Sequence, residues 1–145
     1  MDHMGSYEMS WYYNNQLFDQ APEEYLGFVY EITDTLNQKY YIGKKLFWTT
    51  RKLPPLKGRK NKRHKRVETD WREYYGSSDA LNAERQLIGN QYFKRKILIM
   101  CENKNQMSYF ETREQFARDV LLDKSYYNAF IGCKITAKGL RNEDV

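Results

Sequence analysis

A chain of 145 residues, 41% hydrophobic and 16% aromatic, is enough for one domain around one core. Its mean hydropathy is −0.90, no apolar run approaches the roughly 20 residues of a spanning helix, and no charged-then-apolar leader opens the chain. These features exclude a membrane protein and predict a cytoplasmic one. The formal charge of +5 is unevenly placed: eleven Lys and Arg fall between Lys44 and Arg66 without an Asp or Glu, and the remaining 13 basic residues face all 19 acidic ones, so the rest is net −6.

The opening "MDHMGS" resembles a cloning remnant, so His3 is set aside. Residues 1–24 are polar and aromatic without period and are expected to form an arm. Residues 25–145 are expected to form the folded domain, with a basic insert at about 46–70. From Gly27, Phe28, Tyr30 and Ile32 alternate with Val29, Glu31 and Thr33, which is strand spacing. "TDTLNQK" is turn-like through Asp34 and Asn37, and "YYIGKKLF" reads as the second strand of a hairpin with Gly43 at a close approach. In the insert, Pro54, Pro55 and Gly58 forbid regular structure at the start, whereas its second half is compatible with a helix. A helix over "GSSDALNAERQLIGN" is predicted with Ser77 or Ser78 as cap, Leu81, Leu87 and Ile88 as apolar stripe, and Gly89 near its end. "YFKRKILIM" is the strongest strand signal. "MSYFETREQFARDVLL" is an amphipathic helix, with Met107, Phe110, Ala117, Val120 and Leu121 at helical spacing, and "YYNAFIGCKI" follows. The predicted architecture is α+β: a small three-stranded antiparallel sheet flanked by helices.

Cys101 and Cys133 are too few for a disulfide scaffold and too far apart for a Cys/His zinc site, and are expected to be reduced thiols. The basic block repels itself unless a polyanion neutralises it. It is therefore either a solvated loop or a contact for nucleic-acid phosphates. For the latter the candidates are Lys44, Arg51, Lys60, Lys62, Arg63 and Lys65.

"FVYEITDTLNQKYYIGKK" resembles the core of the GIY-YIG endonucleases, and the resemblance extends from about Leu26 to Ile135 through "YYGSSDAL", "FKRKIL", "YFETREQF" and "YYN". The first triplet reads "FVY", with Gly27 one residue early. The resemblance implies a metal-dependent DNA endonuclease like the free-standing, homing-endonuclease-like members of phage genomes. A non-cleaving nucleic-acid-binding module on the same fold and a restriction or repair nuclease are the alternatives. It further implies that Tyr30 activates a water, that Tyr41 positions it, and that Glu111 holds one Mg²⁺ or Mn²⁺, with Glu114 as competitor. A phenol with pKa near 10 is a weak base, and neighbouring Lys and Arg are expected to favour the phenolate. Many members carry an arginine on a helix just after the second triplet, where this chain has "KKLFWTTRKLPPLKG". The first substitute is Lys45, then Arg66 and Arg63, then Arg95. Tyr40 points to the opposite strand face and is assigned to packing; Arg95 and Trp71 read as packing or phosphate contacts. Asn128 either lines the site and the DNA or makes a turn. The partner is DNA, with the protein a monomer or homodimer.

Overall fold

The computed structural model describes residues 9–132 and Ala137. Its elements, in chain order, are β1 (Trp11–Tyr13), β2 (Gln16–Phe18), β3 (Gly27–Asp34), β4 (Lys39–Leu46), β5 (Trp48–Leu53), β6 (Arg63–Glu68), α1 (Asp79–Ile88), β7 (Phe93–Cys101) and α2 (Lys104–Ala117). The main sheet has the order β2-β1-β7-β3-β4. β1 runs parallel to β7, and every other pair is antiparallel.

The fold is α+β, but the sheet has five strands and is mixed rather than three-stranded and antiparallel. The three expected strands are there as β4-β3-β7. The other two come from the segment read as an arm. Asn14 and Asn15, at φ 51° and 64°, make the two-residue turn between β1 and β2, the left-handed pair that tight hairpins require. Trp11 then inserts into the core: it is 2% exposed, lies edge-on to Phe28 and Tyr30 at 5.0 and 5.4 Å, and donates Nε1–H to the Trp71 carbonyl at 2.8 Å. Removing such an indole costs about 3–5 kcal/mol, so this segment belongs to the domain.

The β3–β4 hairpin forms as its alternation predicts. Asp34 closes its turn by accepting from the Leu36 and Asn37 amides at 3.1 and 3.0 Å. One sheet face buries an aromatic cluster including Trp11, Phe28, Tyr30, Phe47 and Trp71. The other buries Val29, Ile42 and Cys101 against Met107 of α2. The pairing of β3 with β7 slips between Val29 and Tyr30, a bulge beside the residues the sequence singles out.

The helices differ in detail from their predicted stripes. Ser78 caps α1, accepting from the Leu81 amide at 3.1 Å, and Gly89 ends it at φ 104°. Leu81 is buried, but Leu87 is 79% exposed, because the short helix rests on the sheet through a narrow stripe. α2 ends at Ala117, Val120 is buried beyond the helix, and Leu121 is exposed. Within the basic insert residues 54–62 are irregular, as Pro54, Pro55 and Gly58 require, but the second half is strand rather than helix: β5 and β6 form a separate two-stranded ribbon. Cys101 is a free, buried thiol that burial pushes up to about 12; Cys133 lies outside the described residues. No described helix is long and apolar enough to cross a membrane.

Candidate active site

Tyr30 on β3 and Gly43 on β4 are register partners, and Tyr41, two residues before Gly43, shares their face. The Tyr30 ring lies across the gap that Gly43 leaves: a Cβ there would sit 2.4 Å from Tyr30 Oη. Gly76, at φ +88°, clears the other side, where a Cβ would come within 3.1 Å of Tyr41 Cε2 and 3.2 Å of Tyr30 Oη. Two glycines thus make room for two phenols, whose rings stand 6.2 Å apart. This explains why "YYIG" ends in glycine.

β4 is an edge strand, and a cleft of about 530 Å³ opens along that edge. Tyr30, Tyr41 and Lys44 line it from the hairpin, residues 77–80 from the start of α1, Glu111 and Gln115 from α2, and residues 127–130 from the segment that follows. Because the cleft wraps the strand edge, it collects side chains from both sheet faces. Lys44 enters from the α2 side, where its Nζ donates to Ser108 Oγ at 2.9 Å and stands 3.6 Å from Glu111 Oε1. Tyr41 Oη lies 3.4 Å from Ser77 Oγ.

Burial raises the Tyr30 phenol well above its ordinary value, and Tyr74, Tyr41 and Glu111 add to the shift. Tyr41 is raised as well, by burial first, with Tyr74 and Glu111 contributing and the Ser77 hydrogen bond opposing. The expectation that nearby cations would favour the phenolate is therefore corrected. The two nearest lysines are already spoken for, Lys44 by Glu111 and Lys45 by Asp70. Glu111 has only 14% of its side chain exposed, and burial raises its carboxyl against the lowering effect of Lys44. Its competitor Glu114 is held by Arg118 at 3.1 Å and Arg113 at 3.3 Å and does not line the cleft.

Among the described residues no group of three or more His, Cys, Asp and Glu is placed to hold a metal. The cleft fits a Mg²⁺ or Mn²⁺ that takes a single carboxylate and keeps most of its waters. Glu111, largely buried and facing the phenols' cavity, is the residue that would hold it.

The substitutes for the missing arginine separate. Lys45 bonds Asp70 Oδ1 at 2.7 Å and covers the Tyr74 ring at 4.2 Å; it does not line the cleft. Arg66 sits on β6, donating to the Glu23 carbonyl at 2.9 Å and stacking on Trp48. Arg63 donates to the Pro54 carbonyl at 3.2 Å. Arg95 is buried between Trp11 and Tyr75 and donates to the carbonyls of Arg72, Tyr74 and Met9. Its guanidinium, lowered by burial to about 10, packs the core. Asn128 lines the cleft but commits its amide to the strand edge, accepting from Ile42 N–H at 3.1 Å and donating to Ile42 carbonyl at 2.9 Å. Arg51, Lys60, Lys62 and Lys65 are exposed on the ribbon and its loop, away from the cleft. Lys44 is the cleft cation that sequence reasoning placed with the DNA contacts instead. Strand alternation puts Lys45 on the face of Tyr41 and Lys44 on the other; only the edge position of β4 reveals which one enters the cleft.

A family model described as "Putative endonuclease segE, GIY-YIG domain" matches residues 11–131. No curated protein and no solved structure matches the chain. The matched span covers the added strands, the hairpin, both helices and every cleft residue up to Ala129 and Phe130. The chain belongs to the GIY-YIG endonuclease family, and its domain is of nuclease type.

Proposed function

We propose that the chain is a metal-dependent DNA endonuclease, homing-endonuclease-like, that hydrolyses a phosphodiester in the cleft along β4. The observation that carries this reading is the convergence of Tyr30, Tyr41, Lys44 and Glu111 on one cavity. Hydrolysis needs an activated water, neutralised phosphate charge and help for the leaving 3′ oxygen. Tyr41, the more open phenol, holds the water. Tyr30, behind it, takes up the proton as a phenolate, after its own proton has left to solvent through the cleft. In the free protein Tyr30 is a neutral phenol, so it works as a base only when positive charge comes closer. Lys44 supplies such charge: its ammonium is already in the cleft, and its four-carbon stem can swing from Glu111 to the phosphate. It takes the role for which the sequence offered Lys45. Mg²⁺ or Mn²⁺ held by Glu111 would supply Lewis-acid charge at the phosphate and its leaving oxygen.

The test is nicking of a supercoiled plasmid with Mg²⁺ or Mn²⁺ and with a chelator. The reading predicts relaxed or linear product only with the metal. Binding without product under either condition would leave a nucleic-acid-binding module on a nuclease fold.

A further inference from the structure

The β5–β6 ribbon is the one described part of the chain that stands outside the main sheet and concentrates its positive charge. Its register sets Arg51 directly opposite Lys65 and Lys52 opposite His64. Like charges directly opposite destabilise a strand pair, and no carboxylate lies between residues 44 and 66 to offset them. Neither Arg51 nor Lys65 has an ion-pair partner among the described residues, and both are exposed.

The two faces of the ribbon differ. Trp48, Arg66 and Glu68 share one face through the register. That face is tied to the body: Trp48 Nε1–H donates to the Pro22 carbonyl at 3.0 Å, Arg66 donates to the Glu23 carbonyl, and Glu68 pairs with Arg72. Arg51 and Lys65 occupy the other face. The base of the ribbon is fixed as well. Only Phe47 separates β5 from β4, and that residue is fully buried. Thr69 returns the chain to the same point, its amide donating to the Phe47 carbonyl at 2.9 Å and its hydroxyl to the Leu46 carbonyl at 2.6 Å.

The roughly 12 Å major groove of duplex DNA admits a two-stranded β-ribbon, whose backbones alone are about 5 Å apart and whose side chains widen it well beyond the roughly 6 Å minor groove. We propose that the β5–β6 ribbon enters the major groove of duplex DNA and turns Arg51 and Lys65 to the base edges. The free positive face then meets the polyanion that relieves its own repulsion. Lys60 and Lys62, in the loop at the ribbon tip, face the phosphates. Because β4 carries both Tyr41 and the ribbon's base, the bases read and the phosphate cut stand at a fixed offset. The inference rests on the DNA-directed reading above, but its test needs no cleavage.

The experiment is binding of the full chain, in chelator, to a labelled mixed-sequence duplex, competed with methyl green, a major-groove ligand, or distamycin, a minor-groove ligand. A second arm selects bound sequences from a randomised duplex pool. Methyl green should displace the protein and distamycin should not. Arg51→Ala/Lys65→Ala should weaken binding about tenfold or more and erase preference at a few adjacent base pairs, whereas Lys60→Ala/Lys62→Ala should flatten the salt slope by about two and weaken every sequence alike. Double-stranded RNA should compete weakly, since its major groove is too deep and narrow for side chains. Thermal melting of the Arg51→Ala/Lys65→Ala variant should match or exceed the parent, which separates lost contacts from lost folding. Displacement by distamycin instead, no duplex binding at all, or weakening by Arg51→Ala/Lys65→Ala without any change in sequence preference would overturn the assignment. Cleavage that persists with an inert ribbon would sink this inference alone; a binding ribbon on a protein that never cuts would sink only the proposed function.

Discussion

The cleft and the ribbon treat positive charge in opposite ways. At the cleft and just beside it each lysine has a carboxylate: Lys44 has Glu111 and Lys45 has Asp70. On the ribbon, Arg51 faces Lys65 and nothing acidic intervenes. The difference follows from burial. Half-buried charges must be paired or they shift towards neutrality, and pairing holds them in place for chemistry. Exposed charges in water tolerate one another at small cost and stay available to a large anion. One chain thereby keeps a set of preformed, compensated groups for bond breaking and a set of uncompensated ones for capture.

The sharpest way to break this division is at Glu111. Glu111→Gln keeps the size of the side chain but removes the anionic oxygen that a hard cation needs. Nicking should fall to background while binding holds or tightens, since one negative charge near the phosphates is gone. Full activity with Mg²⁺ would remove the metal from this residue and point to Asp79, the other carboxylate that lines the cleft.

A steep but smaller loss is expected at Tyr30. Tyr30→Phe leaves the ring between Gly43 and Gly76, so melting should change little, and the rate should drop on the order of 10²-fold. Tyr41→Phe should lose less. Because burial and its neighbours hold the Tyr30 phenol above its ordinary value, the phenolate fraction grows as pH rises towards and past about 10. The cleavage rate should therefore climb through the neutral and alkaline range without an early plateau, and Tyr30→Phe should flatten that climb. A plateau near neutrality in the parent would assign the base elsewhere.

The adjacent lysines sharpen the comparison further. Lys44→Ala should lower the single-turnover rate about 10²-fold, typical of losing a transition-state charge partner. Lys45→Ala should cost much less, because Lys45 is spent on Asp70 and Tyr74. The reverse order would return the role to Lys45.

The smallest effect is on stability. Asp34 joins the hairpin turn to the segment covering the β4 edge: it accepts from Tyr127 Oη at 2.7 Å and from Asn37 Nδ2 at 2.8 Å, besides two backbone amides. Burial alone would raise its carboxyl, but hydrogen bonds from Tyr127 and Asn37, with the Asn37 and Leu36 amides, hold it below its ordinary value. A carboxyl depressed by folding stabilises the protein above its unfolded pKa, and that contribution is lost as pH falls through the folded one. Asp34→Asn should cost about 1–3 kcal/mol near neutral pH and should shrink the loss of melting temperature on acidification. An unchanged acid limb would place that sensitivity in other carboxylates.

Much of this was legible in the sequence where period and chemistry coincide. The alternation of Phe28, Tyr30 and Ile32, the Asp34–Asn37 turn, the Ser78 cap and the apolar "YFKRKILIM" each specify their element locally. The aromatic pair and Glu111 were legible as a set because three separate elements present them in the expected order. Other features were not legible, for identifiable reasons. β1 and β2 have three residues each, too few to show a period, although "NN" between them was a usable turn signal. The ribbon hid behind its charges: Lys and Arg on both faces erase the alternation, and Pro54-Pro55 fall in the connecting loop rather than within a strand. The choice between Lys44 and Lys45 depended on β4 lying at the sheet edge, a tertiary fact that no local pattern encodes.

The separation of cutting from capture is tested most directly by measuring, on one plasmid substrate, the single-turnover nicking rate at saturating DNA together with the dissociation constant. The proteins to compare are the parent chain, Glu111→Gln, and the variant with Lys60 and Lys62, at the ribbon tip, both replaced by Ala. The account predicts a rate at background with binding intact for the first variant. For the second it predicts a nearly parental saturated rate, weaker binding for every sequence alike, and a salt slope flatter by about one unit per lost phosphate contact. A Glu111→Gln protein that cuts, or a ribbon variant that binds with an unchanged slope, would contradict it.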